Sequence, residues 1–237
     1  MLKRVVIAIA ALLGIALTTS LGFWQWDRAR QRNALHDAIA ARAAMAPLGA
    51  AELLAARDPQ ALLHRPALLR GEWLPAHTVF LDNRQMNAVP GFYVVTPLRL
   101  EGRQEVVLVQ RGWAPRNFTR REILPPVQTP SGVVEVRGRL APPPAKLYEF
   151  DKEEKGPIRQ NLDLARFRAE TGLPLLPLSV QQAGRASEGL LRQWPQPASG
   201  AEKNIGYAFQ WWAIAAVIAI LYAWFQLVLP RRQARRL

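Results

Sequence analysis

The sequence predicts an integral membrane protein in which two transmembrane α-helices, one N-terminal and one C-terminal, flank a mainly-β (α+β), antiparallel extracytoplasmic domain. Three observations carry that expectation. Val5–Trp26 runs without a charge, Ile205–Leu229 does the same, and the stretch between them breaks into short segments rich in Val, Leu and aromatics. At 1.5 Å per residue the two runs reach about 33 and 37 Å, against a hydrocarbon core of about 30 Å. The longer one is therefore expected to tilt.

The first run follows Lys3 and Arg4, a pattern shared by cleaved signal peptides and uncleaved anchors. Its end lacks a small-residue cleavage signal and instead reads Leu21-Gly22-Phe23-Trp24-Gln25-Trp26. Bulky aromatics at that position belong to an interfacial belt, so the segment reads as an anchor. Orientation comes from the second run, which is followed by Arg231, Arg232, Arg235 and Arg236 and preceded only by Lys203 beside Glu202. Positive residues remain in the cytoplasm. Both termini are therefore expected inside and the central domain in the periplasm of a bacterial inner membrane. The organisation reads as a tail (1–4), first span (5–26), helical connector (27–66), mainly-β domain (67–203), second span (205–229) and basic tail (230–237).

This topology accounts for the charge. The 237-residue chain has 31 basic and 18 acidic residues and a net charge of +13. Six of the positive charges sit in the two tails, and the remaining arginines are scattered through the central segment. Nucleic-acid binding is therefore not expected, and membrane lipid is the simpler partner for the excess. The absence of cysteine excludes disulfide scaffolds, thiolate metal sites and catalytic thiols.

Between the spans, Arg28 to about Met45 is alanine-rich, with Leu35, Ala38, Ile39 and Arg42 at helical spacing, and is expected to prolong the first helix. A shorter helix is expected over Gly49–Arg57. Strands are expected at Ala67–Trp73, Thr78–Asp82, Phe92–Leu100, Glu105–Arg111, Val133–Leu140 and Leu176–Gln182. Asn83, Pro90-Gly91, Glu101-Gly102 and Ser131-Gly132 read as turns between them. Ala141–Pro157 reads as an exposed proline-rich and charged loop, and Leu162–Glu170 as a helix ending at Gly172.

The inventory for catalysis is thin. His36, His64 and His77 have no metal-ligand spacing, and Ser131, Ser179, Ser187 and Ser199 lie outside any G-x-S-x-G setting. Glu153-Glu154 is a pair of acids in a solvated charge run. No enzymatic activity is expected, and the membrane edge is more informative. Trp24, Gln25, Trp26 and Arg28 end the first span, while Asn204, Tyr207, Gln210, Trp211 and Trp212 begin the second. Asn204, Tyr207 and Trp211 share a helical face at i, i+3 and i+7. Polar groups in a span need a partner helix or a ligand. Helix–helix hydrogen bonding and a pocket for a flat amphipathic ligand both satisfy that need.

The stretches LGFWQWDR (Leu21–Arg28), LDNR (Leu81–Arg84), PGFYVVTPL (Pro90–Leu98), VLVQRGWAP (Val107–Pro115), GVVEVRGRL (Gly132–Leu140) and GYAFQWW (Gly206–Trp212) together resemble the surfeit-locus protein one family of cytochrome c oxidase assembly factors. The resemblance implies a non-catalytic role in building haem-copper oxidase, assisting delivery of haem a to oxidase subunit I, with haem a synthesis enzymes as further partners. The alternative it leaves open is a membrane-anchored scaffold that binds subunit I without touching haem. It also implies an axial histidine for haem a three residues before the tyrosine of the GYA motif, where this chain has Asn204. An amide is no substitute for imidazole on haem iron. Arg84 and Arg111, within the LDNR and QRGW stretches, are candidates for haem propionates or partner acids, since arginine binds carboxylates in bidentate fashion. The competing expectation for both is a salt bridge inside the domain.

Overall fold

The computed structural model describes residues 2–120, 122–147, 156–195 and 199–234, the side chains of the last three excepted. Within them the chain divides into two compact units, Met1–Ala38 with Pro197–Leu237, and Ile39–Gln196. Each is built on the pattern its residues dictate.

The first unit holds two long apolar helices. Helix α1 (Leu2–Ala43) is continuous from the apolar run through the alanine-rich stretch that follows it. Helix α4 (Ala201–Ala223) leads into a π-helical turn (Trp224–Val228) and then α5 (Leu229–Ala234). Both stretches are long and apolar enough to cross a membrane, with mean hydropathies of 2.3 and 2.1.

The second unit is a β-barrel with additions. Strands β1 (Pro66–Trp73), β2 (Val79–Met86), β3 (Val89–Leu100), β4 (Val106–Pro115), β5 (Val133–Ala141), β6 (Ile158–Arg159) and β7 (Leu175–Gln182) form one sheet in the order β1-β5-β7-β4-β3-β2-β6. Strand β1 also pairs with β3, so β1, β5, β7, β4 and β3 close into a ring. Closure depends on Gly71, which pairs with Val134 on one side and Leu100 on the other. A Cβ there would lie 2.2 Å from the Arg99 carbonyl oxygen, so only glycine lets the two strands meet.

Antiparallel pairing prevails, as the short turns require, but β4–β7 and β2–β6 are parallel. Strand β7 reaches β4 by way of the long connection after β5, which includes β6 and α3 (Leu164–Thr171). That connection frees it from hairpin geometry. Asp163 caps α3 by accepting from the backbone N–H groups of Ala165 and Arg166, and Gly172 ends it at φ 68°. A second short helix, α2 (Ala50–Ala55), lies where Gly49–Arg57 was expected.

Two turns differ from the sequence reading. Asn83 is a left-handed bulge residue (φ 58°) inside β2, where the β2–β3 register shifts between Leu81 and Arg84. Pro90 and Gly91 belong to β3, and the chain turns at Asn87 and Ala88, both left-handed. Just beyond the expected loop, Ile158–Arg159 adds a two-residue parallel strand to β2.

One apolar cluster draws on all five ring strands, through Leu69, Leu98, Val107, Val109, Val136 and Val180 among others, with Leu48 and Leu53 covering it. A second, around Val79, Leu81, Leu108 and Phe167, packs α3 on the opposite face of the sheet. Because β4 is buried on both faces, its first four residues, Val106–Val109, are all apolar instead of alternating, and even Gln110 and Arg111 are enclosed.

Candidate functional site

In the two-helix unit, Gly14 meets Ile218, Gly22 meets Trp212, Gln25 meets Asn204, and Arg32 donates to the Gly200 carbonyl at 3.2 Å. These contacts run in opposite directions along the two helices, so α1 and α4 are antiparallel partners. The buried positions are Thr18, Gly22 and Ala29 on α1, and Ala201, Ala208 and Ala215 on α4, seven residues apart. Small residues let helix backbones approach in a bilayer, where apolar side chains gain nothing over lipid. At Gly22 the approach is close enough that a Cβ would fall 2.2 Å from the Trp212 indole nitrogen.

Gln25 and Asn204 lie on this contact face. The Asn204 amide nitrogen donates to Gln25 Oε1 at 2.6 Å. Beside the pair, Phe23, Trp26, Phe209 and Trp212 form an aromatic cluster. Its ring centroids are 5.4 Å apart for Phe23–Trp212, 5.9 Å for Trp26–Trp212 and 5.7 Å for Phe209–Trp212, mostly edge to face.

The structure therefore gathers only part of the expected set. Gln25 and Asn204 meet. Trp24 and Tyr207 are 58% and 53% exposed, Arg28 and Gln210 are exposed, and Trp211 is half-buried. The aromatic cluster between the helices is Phe23, Trp26, Phe209 and Trp212; Trp26 and Trp212 are among the expected edge aromatics, but the helical-face argument picked Tyr207 and Trp211 instead. That argument used the periodicity of one helix alone. The stripe Ala201-Ala208-Ala215 marks the face that meets the partner helix, and it would have redirected the choice.

The two arginines of the second unit are interior residues. Arg111 is fully buried, stacked 4.6 Å above the Trp73 ring, with Nη1 donating to Thr129 Oγ1 and Nη2 to the Gln128 carbonyl, both at 2.7 Å. Glu188 accepts from it at 3.1 Å and from Arg192 at 2.9 Å. The propionate or partner role considered for Arg111 gives way to the salt bridge inside the domain, because its charge is enclosed. Arg192 also donates to the Arg111 carbonyl at 2.9 Å, and burial lowers its pKa against the pull of Glu188. Neither Glu188 nor Arg192 stands out in the sequence, since both fall in a Pro/Gly-containing loop.

Arg84 is buried as well. Its Nη2 donates to the carbonyls of Ala145 (2.8 Å) and Gln160 (3.0 Å), and its guanidinium lies 5.8 Å from the Tyr93 ring centroid. Burial lowers the Arg84 pKa and raises that of Tyr93, each partly offset by the other. Its carbonyl contacts hold the loop after β5 against the sheet, a structural use that differs both from the propionate or partner role and from the salt bridge considered for it.

The residues weighed for catalysis are dispersed. Ser179 is buried and donates to the Pro142 carbonyl at 2.6 Å. His77 ends a 3-10 turn, His36 is exposed on α1, and His64 has a left-handed backbone with its Nδ1 buried and without a partner. Glu153 and Glu154, with Arg235 and Arg236, lie outside the described residues. Among the described residues no group of three or more His, Cys, Asp or Glu is placed to hold a metal ion.

The family model described as "SURF1 family" matches residues 12–216, which takes in the whole barrel, most of the first apolar run and the first half of the second. A SURF1-like protein of Drosophila melanogaster is 25% identical over 243 aligned residues, covering 91% of this chain and 75% of that protein. A SURF1-like protein of Rickettsia prowazekii (strain Madrid E) is 24% identical over 213, covering 87% and 84%. One from Rickettsia felis is 23% identical, covering 90% and 94%.

Proposed function

The chain belongs to the SURF1 family, and from that premise we propose that it is a membrane-anchored, non-catalytic assembly factor for haem-copper cytochrome c oxidase, acting on subunit I when haem a is delivered. The observation that carries this reading is the continuity of the family match across the helix pair and the barrel together. In this reading both termini are cytoplasmic and the barrel is periplasmic in a bacterial inner membrane, which the arginines after the second span support.

Haem a bears on the proposal through Asn204. The donor set at that position does not fit an iron-ligating site, because its amide nitrogen is engaged by Gln25 and an amide oxygen is a poor axial ligand. No step is therefore routed through haem on this chain. The Gln25–Asn204 bond favours the scaffold form of the reading, in which the protein holds subunit I, and with it the haem a synthesis enzymes, during insertion. The helix pair supplies the membrane contact and the barrel supplies the extramembrane one.

Deleting the gene is expected to lower oxidase activity and membrane haem a while subunit I is still made. Unchanged oxidase spectra would overturn the assembly role. Purifying the full chain from cells that make haem a separates the two forms. Co-purification of subunit I without Soret absorbance identifies the scaffold, and a Soret band on the isolated chain identifies a direct haem carrier.

A further inference from the structure

At the end of the helix pair that carries the chain termini, residues of α1, α4 and the π-helical turn line an almost wholly apolar groove of about 460 Å³. Ile7, Ala10 and Ala11 line one side, and Ile218, Tyr222 and Phe225 the other. From this groove and its charged mouth we propose a binding site for one anionic phospholipid, with an acyl chain in the groove and the phosphate at its rim.

The rim is cationic on both helices. Lys3 and Arg4 lie four and three residues before Ile7, so they stand one turn outward on the groove-lining face of α1. On the second helix, Tyr222 and Gln226 follow at helical spacing along the groove. Beyond them the backbone N–H of Leu229 donates to the Trp224 carbonyl, a five-residue step that inserts one extra residue into the turn. In a plain α-helix the residue four after Gln226 would be Pro230; with the inserted residue, Arg231 takes that place. Three exposed cations thus ring one mouth, while the acidic residues of these helices begin at Asp27 on α1 and stop at Glu202 on α4, both at the other end. Basic pockets between helices at a membrane face bind anionic headgroups.

The length of the groove selects lipid over a partner helix. Its lining covers Ile7–Ala11, about 6 Å of α1, and Ile218–Gln226, about 12 Å of the second helix. A spanning partner helix would need contact over most of a hydrocarbon core of about 30 Å. The upper part of an acyl chain needs only the shorter length. The Tyr222 hydroxyl and the Gln226 amide then stand at the depth of the ester groups, where both can donate.

Native mass spectrometry of the full chain, purified in detergent and exposed to phosphatidylglycerol or phosphatidylcholine of identical chains, tests the site. Retention of phosphatidylglycerol is expected to exceed that of phosphatidylcholine by about tenfold or more, on a scale of about fivefold per cationic residue. The variant Ala10→Leu/Ala11→Leu fills the groove and is expected to lose both lipids. The variant Lys3→Gln/Arg4→Gln/Arg231→Gln leaves the groove intact and is expected to bring the two lipids to parity. Equal retention of both lipids by the unaltered chain overturns the proposal, as does undiminished retention by the leucine variant. A photo-crosslinker at position 11 that captures protein in place of lipid identifies a partner helix and also overturns it. Should the leucine variant fail to fold, the charge variant decides alone.

Discussion

Gln25 and Asn204, 179 positions apart in the chain, meet through a 2.6 Å hydrogen bond that fixes the register of two antiparallel apolar helices. A carboxamide pair of this kind in a bilayer acts as a register pin, because either group left alone in hydrocarbon lacks a partner. Replacing either residue by alanine is expected to weaken the pair by about 0.6–1.7 kcal/mol. A double-mutant cycle read by thermal unfolding in detergent should return a coupling of that size. Additive single effects would show that the bond contributes nothing.

The close approach at Gly22 gives a sharper prediction. The chain has no cysteine, so Gln25→Cys/Asn204→Cys introduces the only thiols, at positions already in contact. A short bis-maleimide, which spans the reach of the two replaced side chains, is expected to cross-link them. Adding Gly22→Leu places side-chain atoms where the Trp212 ring now lies, and the cross-link is expected to be lost. Persistence of the cross-link would mean that the two helices are held by contacts elsewhere.

In the barrel, Glu188 pairs with both Arg111 and Arg192, whose side chains are 0% and 3% exposed. Glu188→Gln keeps the shape and removes the charge. Leaving two buried cations without it is expected to cost about 3–5 kcal/mol, seen as an earlier urea transition. Restoring an acid by Glu188→Asp should recover only part of this, since the shorter side chain cannot reach both guanidinium groups. A transition unmoved by Glu188→Gln would show that the backbone carbonyls and Thr129 suffice.

His64 supplies a pH dependence. Burial, then the charges of Arg139 and Arg42, lower its pKa below the usual 6.5. The unfolded chain therefore binds a proton that the folded chain resists, and stability rises with pH through that interval. The contribution is present above pH 6.5 and is lost as pH falls through the folded value. His64→Asn, which tolerates the left-handed backbone at φ 73°, is expected to flatten the curve between pH 7 and pH 5. A variant that tracks the parent at both pH values would assign the dependence to other groups.

The two apolar helices were legible because uncharged runs longer than a bilayer is thick have few soluble explanations. Six strands were legible from their Val, Leu and aromatic content. Ile158–Arg159 was not, since two residues carry no periodicity, and the parallel pairing of β7 with β4 depends on where a distant connection returns. Pro90-Gly91 misled because proline and glycine also serve inside strands. A Cβ at Gly91 would lie 2.6 Å from the Trp113 ring, so this glycine makes room and does not turn the chain. At the membrane, the polar residues and the edge tryptophans were legible, while which aromatics face the partner helix was not. Polarity within a span is conspicuous on its own, whereas the facing side of a helix is defined only by its neighbour.

The pairing of β1 with both β5 and β3 also governs how this protein is born. Its first strand must wait, unsealed, until the chain beyond residue 133 has emerged, and the parallel union of β4 with β7 waits until about residue 182. Such distant pairings make for slow, late folding with edges open to wrong partners. A nascent chain that has reached only residue 133 therefore carries β1 with one of its two edges still without a partner strand.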